Sequence, residues 1–396
     1  MPDGTSKHYG LGMNFEFATA TRILFGAGRF REAAPIAAGL GKRALVVAGT
    51  GVERAASLLE QLGAAGVHAA IFSVSGEPST ATVLDGIEAA RAAGCDVVLG
   101  IGGGSALDTG KAIAALIANG GDLLDYLEVI GRGRPLRKQS APYLAIPTTA
   151  GTGSEVTRNA VLESPEHRVK VSLRSPFMLP SFAIVDPELT YSMPPALTAS
   201  TGLDALTQLI EPFVCNLTNP LIDAICREGI PTAGMSLRRA YHDGRDVIAR
   251  AGMSMASLFG GLALANARLG AVHGLAGPLG GRLGAPHGAI CACLLPHVMK
   301  TNIRALQVRE PGCQALRRYR EIAVLLTGKG DATAAEGVDW VHALCEELRV
   351  LPLSALGLAA SDLPEIIAQS RRASSMRGNP IALTDHELEQ ILKSSY

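Results

Sequence analysis

The 396-residue chain lacks net charge: 36 Lys and Arg balance 36 Asp and Glu. A surface that holds nucleic acid is usually visibly basic, so nucleic acid is not expected as the main partner. The chain also lacks a CxxC pair. Its seven cysteines, Cys95, Cys215, Cys226, Cys291, Cys293, Cys313 and Cys345, are odd in number and scattered. They read as reduced, mostly buried thiols in a cytoplasmic protein. Cys291 and Cys293 alternate in a way that suits packing in a helix or strand. The opening stretch, MPDGTSKHYGLGMNF, has no apolar segment of signal-peptide type. Residues 1 to about 13 read as a loose tail. The longest apolar stretches are broken by Gly or charge short of a membrane span, so no membrane partner is expected. There is no GxGxxG fingerprint and no internal repeat.

What is present is a large apolar fraction. Hydrophobic residues make up 47% and charged residues 18%, enough to build a sizeable core, and the length suits two domains. The first half alternates strand-like and helix-like segments. Arg43 to Ala48 is a short apolar run ending in Gly49-Thr50-Gly51. A helical pattern from Val52 to Gly66 follows, then a strand from Val67 to Phe72. Thr80 to Gly94 has helical period, Asp96 to Ile101 is a buried strand, and Ala106 to Asn119 is again helical. Tyr143 to Pro147 is a further strand. This alternation predicts βαβ units, a parallel sheet, and ligands at the carboxyl ends of its strands. From about Pro194 the pattern becomes long helices: Leu203 to Val214, Leu221 to Arg239 with a break at Pro231, Asp246 to Gly270, Pro286 to Thr301, Ala334 to Leu348, and Asp385 to Lys393. The composition changes near Asp186-Pro187-Glu188. We therefore expect an α/β, Rossmann-like dinucleotide-binding domain over residues 14–190 and an all-α domain over 191–396.

Two loops carry the signature of phosphate and nucleoside binding. Gly102-Gly103-Gly104-Ser105 follows a strand and precedes a helix. Glycine admits a pyrophosphate close to the backbone, and the helix N-terminus adds N–H donors and a favourable dipole. Asp108 follows it. Pro147-Thr148-Thr149-Ala150-Gly151-Thr152-Gly153-Ser154-Glu155 also follows a strand, and its hydroxyls and glycines suit a ribose, a pyrophosphate or an amide. An ordinary tight βα turn would share the glycines.

A third group has metal-ligand chemistry. Asp204 and Gln208 are four apart and share a helix face. Their neighbours Leu206, Leu209 and Ile210 are apolar, so a carboxylate there needs a partner. A metal would serve. Asp204 as a helix N-cap is the plainer reading. His273 and His287 are fourteen apart with Pro278 and Pro286 between them, so they cannot share one straight helix. A carboxylate with two imidazoles suits Zn²⁺ or Fe²⁺. The other histidines, including His68, His167, His242, His297 and His342, read as core or surface residues.

Together these motifs make the chain resemble the iron-containing (group III) alcohol dehydrogenases, within the dehydroquinate-synthase-like fold. The likeness runs from Phe15 to about Tyr396. It rests on Gly102-Gly103-Gly104-Ser105-x-x-Asp108-x-Gly110-Lys111, on Ile146 to Glu155, on Gly202-x-Asp204-Ala205-Leu206-Thr207, and on His273-Gly274, Pro286-His287-Gly288 and Leu295-Pro296-His297-Val298. The resemblance implies a site in the cleft between the two domains. It implies hydride transfer between an alcohol or aldehyde and NAD or NADP, with Gly49, Gly102, Gly103, Gly104, Ser105, Asp108, Thr148, Thr149, Thr152 and Ser154 at the cofactor. It places the divalent metal, iron or zinc, on Asp204, Gln208, His273 and His287, with Asp204, His273 and His287 catalytic. It also implies a homo-oligomer, a dimer. Two positions depart from the family pattern. Gln208 stands where a ligand histidine is usual, and Gly277 where a further active-site histidine is usual. Related glycerol dehydrogenases hold zinc with three ligands. Maleylacetate reductases, which act without a metal on a keto or enol acid, are the alternative.

Overall fold

The computed structural model describes residues 14–396 apart from Thr50 and Arg168, together with all but the side chain of Val52. The N-terminal tail read from the sequence lies outside the described residues. Eight strands come first among them: β1 (Arg22–Phe25), β2 (Arg43–Ala48), β3 (His68–Ser73), β4 (Val97–Gly102), β5 (Tyr143–Pro147), β6 (Asn159–Ser164), β7 (Val169–Arg174) and β8 (Phe182–Val185). Helices α1 (Ala33–Leu40), α2 (Val52–Ala64), α3 (Thr80–Ala92), α4 (Gly104–Asn119) and α5 (Leu123–Tyr126) are interleaved with them. Six strands form one sheet in the order β1-β8-β5-β4-β2-β3, and every pairing in it is parallel. β4 and β5 are buried along their whole length, as the apolar runs require. Leu45, Val47 and Val98 face one covering layer, while Val46, Leu99 and Ile146 face the other.

Strand order fixes where a ligand can sit. From β2 the chain steps outward to β3, and from β4 it steps the other way to β5. The crossovers therefore leave on opposite faces between β2 and β4, and a crevice opens at their carboxyl ends. Gly49 and Gly102 lie at that point, with the Gly49 N–H donating to the carbonyl of Ile101 at 3.0 Å.

The helical part contains α6 (Pro195–Val214), α7 (Pro220–His242), α8 (Val247–Asn266), α9 (Ala271–Leu283), α10 (His287–Arg309), α11 (Gln314–Thr327), α12 (Ala334–Glu347), α13 (Leu363–Ser370) and α14 (Asp385–Ser394). α6 is its axis and packs against α7, α8 and α10. From Leu203 to Val214 every residue of α6 is buried. Two readings from the sequence are corrected here. Asp204 is not an N-cap, because α6 begins nine residues earlier at Pro195. Pro231 does not end α7, which continues to His242. A proline removes one hydrogen bond and crowds the preceding turn, but packing against α6 and α8 outweighs that local loss. Pro278 likewise sits inside α9; the break before His287 is made by Gly284, in the left-handed conformation at φ 62°.

α8 is long and apolar enough to cross a membrane by length and composition, contrary to the sequence reading of short apolar stretches. In that window 61% is buried inside the protein, which is how a central core helix looks.

Candidate active site

The two glycine loops meet in a cleft of about 340 Å³ at the switch point. Gly49, Gly102, Gly103, Ser105, Thr148 and Thr149 line it. Arg54, Ser192, Pro194 and Leu197 also line it and were not anticipated. α4 starts at Gly104 with Gly103 as its N-cap and no capping side chain. Its first N–H groups are thus left for an anion at the mouth of the cleft. Gly102 has φ 156°, and a Cβ there would lie 2.7 Å from the Cβ of Ala106. The glycine is required by both backbone and space.

Gly104, Asp108, Thr152 and Ser154 do not line this cleft. Gly104 packs on Thr152, whose side chain would sit 2.9 Å from an added Cβ. Asp108 accepts from the Ser154 hydroxyl at 2.5 Å and from the Val161 N–H at 2.9 Å. The buried Lys111 ammonium donates to Ser154 Oγ (2.9 Å), Thr157 Oγ1 (2.9 Å) and the Asn159 carbonyl (2.7 Å), and pairs with Asp108 at 3.3 Å. Asp108 and Ser154 thus hold the frame that ties α4 to β6 beneath the loop. Within that frame Glu155 is buried, and burial pushes its carboxyl up to about 7 despite the nearby Lys111. The folded protein then keeps this proton over a pH range in which the unfolded chain, near the ordinary 4.5, releases it. Stability must fall as pH rises from about 4.5 to about 7. Glu155→Gln should remove that slope and raise the apparent unfolding midpoint at pH 8 by about 2 °C or more, with little change at pH 4.5. Equal shifts in thermal scans at the two pH values would disprove it.

Loop residues 151–153 bring the two halves together. A Cβ on Gly151 would lie 2.6 Å from Thr201 Cβ in α6, and one on Gly153 would lie 2.3 Å from Gly261 Cα in α8. α6 then connects the cleft to the second cluster. Leu197 is at the cleft wall. Asp204, seven residues on, is roughly 10 Å further along the axis.

Asp204, Gln208 and Glu211 form a buried polar stripe on α6, at 1%, 3% and 4% exposure. Opposite them, α9 supplies His273 and the first turn of α10 supplies His287. His273 Nε2 is 3.5 Å and His287 Nε2 3.9 Å from Asp204 Oδ1. The rings are tilted at 50° with centroids 5.4 Å apart. Glu211, which the sequence reading missed, accepts from His273 Nδ1 at 2.7 Å and from the Val272 N–H at 2.7 Å. With Nδ1 so engaged, the Nε2 lone pair of His273 is the one presented to the cluster. Seven residues after Asp204, Glu211 sits on the same face, and helical spacing was the available signal. Gln208 donates its Nε2–H to Asp204 Oδ2 at 3.1 Å.

The electrostatics ask for a cation. Burial raises the Asp204 carboxyl, but His273 and His287 outweigh it and hold it below the usual carboxylate range. Burial also works against a charged ring at His273 and His287. Their interactions with Cys291 and Asp204, joined by Glu211 at His273, outweigh that and push both rings above the ordinary histidine range. Even so, Asp204 Oδ1 and His273 Nε2 are buried with no hydrogen-bond partner. One divalent cation would satisfy both atoms, so the residues present fit a metal. Cys291 joins Asp204, His273 and His287 in the group that could ligate one, all four ligand atoms lying within 4.8 Å of one another.

Comparison with known proteins agrees with this geometry. A family model described as iron-containing alcohol dehydrogenase matches residues 20–187, and one described as the C-terminal part of the Fe-containing alcohol dehydrogenase family matches 198–396. "Alcohol dehydrogenase 4" of Saccharomyces cerevisiae (strain YJM789) is 35% identical over 363 residues, 90% of this chain and 91% of that one. Among solved structures, a 1,3-propanediol oxidoreductase superposes with a TM-score of 0.90 at 32% identity, covering 97% of this chain and all of the other. Sulfoacetaldehyde reductase from Bifidobacterium kashiwanohense, in complex with NAD+, gives 0.85 at 30% identity over 96% of this chain and 98% of that one. With a nucleotide crevice at the sheet's switch point, a cation-seeking cluster one helix away, and this likeness along the whole chain, the protein belongs to the iron-containing alcohol dehydrogenase family and is an NAD(P)-dependent oxidoreductase acting on CH–OH groups.

Proposed function

We propose that this enzyme interconverts a small aldehyde and its primary alcohol, with NADH or NADPH, at a divalent metal held by Asp204, His273 and His287. The observation that carries the reading is the pair of orphaned buried atoms, Asp204 Oδ1 and His273 Nε2. The cation would polarise the substrate oxygen, and the reduced nicotinamide would carry the hydride.

This chain's own residues do the rest. Gly102, Gly103 and the open N-terminus of α4 seat the pyrophosphate. Thr148 and Thr149 offer hydroxyls from the neighbouring strand end. Gln208 fixes one oxygen of Asp204 and Glu211 fixes the tautomer of His273. His287, a third exposed, faces the open side where substrate must enter. Beside His273 the helix carries Gly277, and a Cβ there would meet nothing within 4 Å. That space favours a substrate with a substituent next to its carbonyl-bearing carbon chain. No acidic residue lines the nucleotide cleft among the described residues, and Arg54 does. Nothing there repels a 2′-phosphate, which supports use of NADP as well as NAD.

We also infer a cytoplasmic homodimer. All seven cysteines are free, as a reducing compartment allows. Exposed Met235, Val247 and Ile248 leave apolar side chains in solvent that a partner subunit would cover.

The test is a panel of short and branched aldehydes with NADH and NADPH, using protein purified without chelator and analysed for bound metal. Cofactor oxidation with at least one aldehyde is expected, with NADH and NADPH efficiencies within about a thousandfold, roughly 4 kcal/mol. No oxidation of either cofactor across the panel would overturn the substrate class.

A further inference from the structure

The cluster contains a donor that the sequence pattern does not supply. α10 begins at His287, so Cys291, four residues on, shares its face. Cys291 is fully buried, and its Sγ lies 3.5 Å from His287 Nε2. The neighbouring Cys293 points elsewhere, donating to the Ser395 carbonyl at 3.3 Å. Tetrahedral zinc with ordinary bond lengths sets a sulfur and a nitrogen ligand roughly 3.5 Å apart, and a nitrogen and an oxygen roughly 3.3 Å apart. The distances here are 3.5 Å for Cys291 Sγ to His287 Nε2, and 3.5 and 3.9 Å from the two imidazoles to Asp204 Oδ1.

Gln208 has the opposite geometry. The group facing Asp204 Oδ2 must be its NH₂, since a carboxylate can only accept. Its Oε1 is buried without a partner, 3.3 Å from where a Cβ on Gly260 of α8 would be. The NH₂ is occupied in holding Asp204, and Oε1 lies against α8.

We propose that Cys291, and not Gln208, supplies the fourth metal ligand, giving an Asp204–His273–His287–Cys291 site that the substrate oxygen would enter as a fifth donor. This rests on the metal-assisted reading above and replaces the assignment of Gln208 as a ligand. A carboxylate and a thiolate together neutralise a divalent ion. A thiolate also turns the preference from Fe²⁺ toward softer or borderline ions such as Zn²⁺ and Co²⁺. Gln208 is a positioning residue that leaves Asp204 Oδ1 free to ligate.

The experiment is an anaerobic Co²⁺ titration of the full-length, chelator-stripped protein, read by absorption. Wild type should show visible cobalt d–d bands and an intense near-ultraviolet sulfur-to-cobalt charge-transfer band. Cys291→Ser should keep the visible bands, lose the near-ultraviolet band, and bind Co²⁺ at least about tenfold more weakly, the lower bound for losing even an outer partner of a ligand. Cys293→Ser should keep both. Cys291→Ala replaces the serine variant if that one does not fold. Visible bands in wild type without a charge-transfer band, or a charge-transfer band that survives in the Cys291 variant, would overturn the thiolate ligand and leave the metal reading standing. No cobalt bands at all would overturn both.

Discussion

His273→Ala should lower kcat/KM for aldehyde reduction by about a thousandfold or more, the scale of a Lewis-acid contribution of several kcal/mol. The ring makes two separate connections. Its Nδ1 is fixed by Glu211 at 2.7 Å, and its Nε2 is aimed, unpaired, at Asp204 Oδ1 3.5 Å away. Truncation removes one donor and leaves two buried carboxylates without their imidazole. Stability should suffer too, by up to about 3–5 kcal/mol if both stay ionised. Circular dichroism and NADH binding separate that loss from chemistry. The nucleotide cleft lies roughly 10 Å away along α6, so affinity for NADH or NADPH should be unchanged in the folded variant. Wild-type kcat/KM in such a variant would remove His273 from the reaction.

Gly102→Val should act on the other half of the site. A side chain there meets an Ala106 methyl at 2.7 Å and the Gly49 backbone nitrogen at 3.1 Å, in a backbone held at φ 156°. Strain of roughly 1–3 kcal/mol in the loop should raise the Kd for NADH and NADPH by about 10- to 100-fold. Metal affinity should not move, because the cluster sits on α6, α9 and α10. Fluorescence titration with both cofactors checks the first statement, and Co²⁺ titration checks the second. Unchanged cofactor affinity would show that the pyrophosphate binds elsewhere.

The difference between these two sites explains what could be read from the sequence. The glycine loop was legible because its ingredients are contiguous: a buried strand, three glycines and a helix. β2, β4 and β5 were legible for the same reason, as unbroken apolar runs. β1 and β8 have four residues each, and β6 and β7 mix Glu163, Lys170 and Arg174 into their alternation, so they carried no clear signal. They form only through partners distant in sequence, as when Arg22–Phe25 pairs with Phe182–Val185. Pro231 misled in the helical half, because it lies inside α7, where packing against neighbouring helices overrides the local preference.

In the metal cluster, Asp204, His273 and His287 were found through ligand chemistry and family resemblance. Which atoms surround them was not legible. Whether Cys291 faces the cluster depends on the residue at which α10 begins. Whether Asp108 faces a phosphate or Lys111 depends on how β6 packs on α4. Each is a question of rotation about a helix axis, and a one-residue change in a helix start turns a side chain by about 100°.

In the proposed reaction, hydride passes from nicotinamide to a carbonyl carbon whose oxygen is held at the Asp204–His273–His287 cluster. The most direct measurement is label transfer. Reduced cofactor carrying deuterium at both C4 positions is mixed with an accepted aldehyde and wild-type enzyme, either metal-loaded or chelator-stripped, and the alcohol is analysed by mass spectrometry. The expected result is one deuterium on the carbinol carbon for each cofactor oxidised by the metal-loaded enzyme, with the rate collapsing on stripping and returning when metal is restored. Transfer at an undiminished rate by the stripped enzyme, or an alcohol whose new hydrogen comes from solvent, would contradict it.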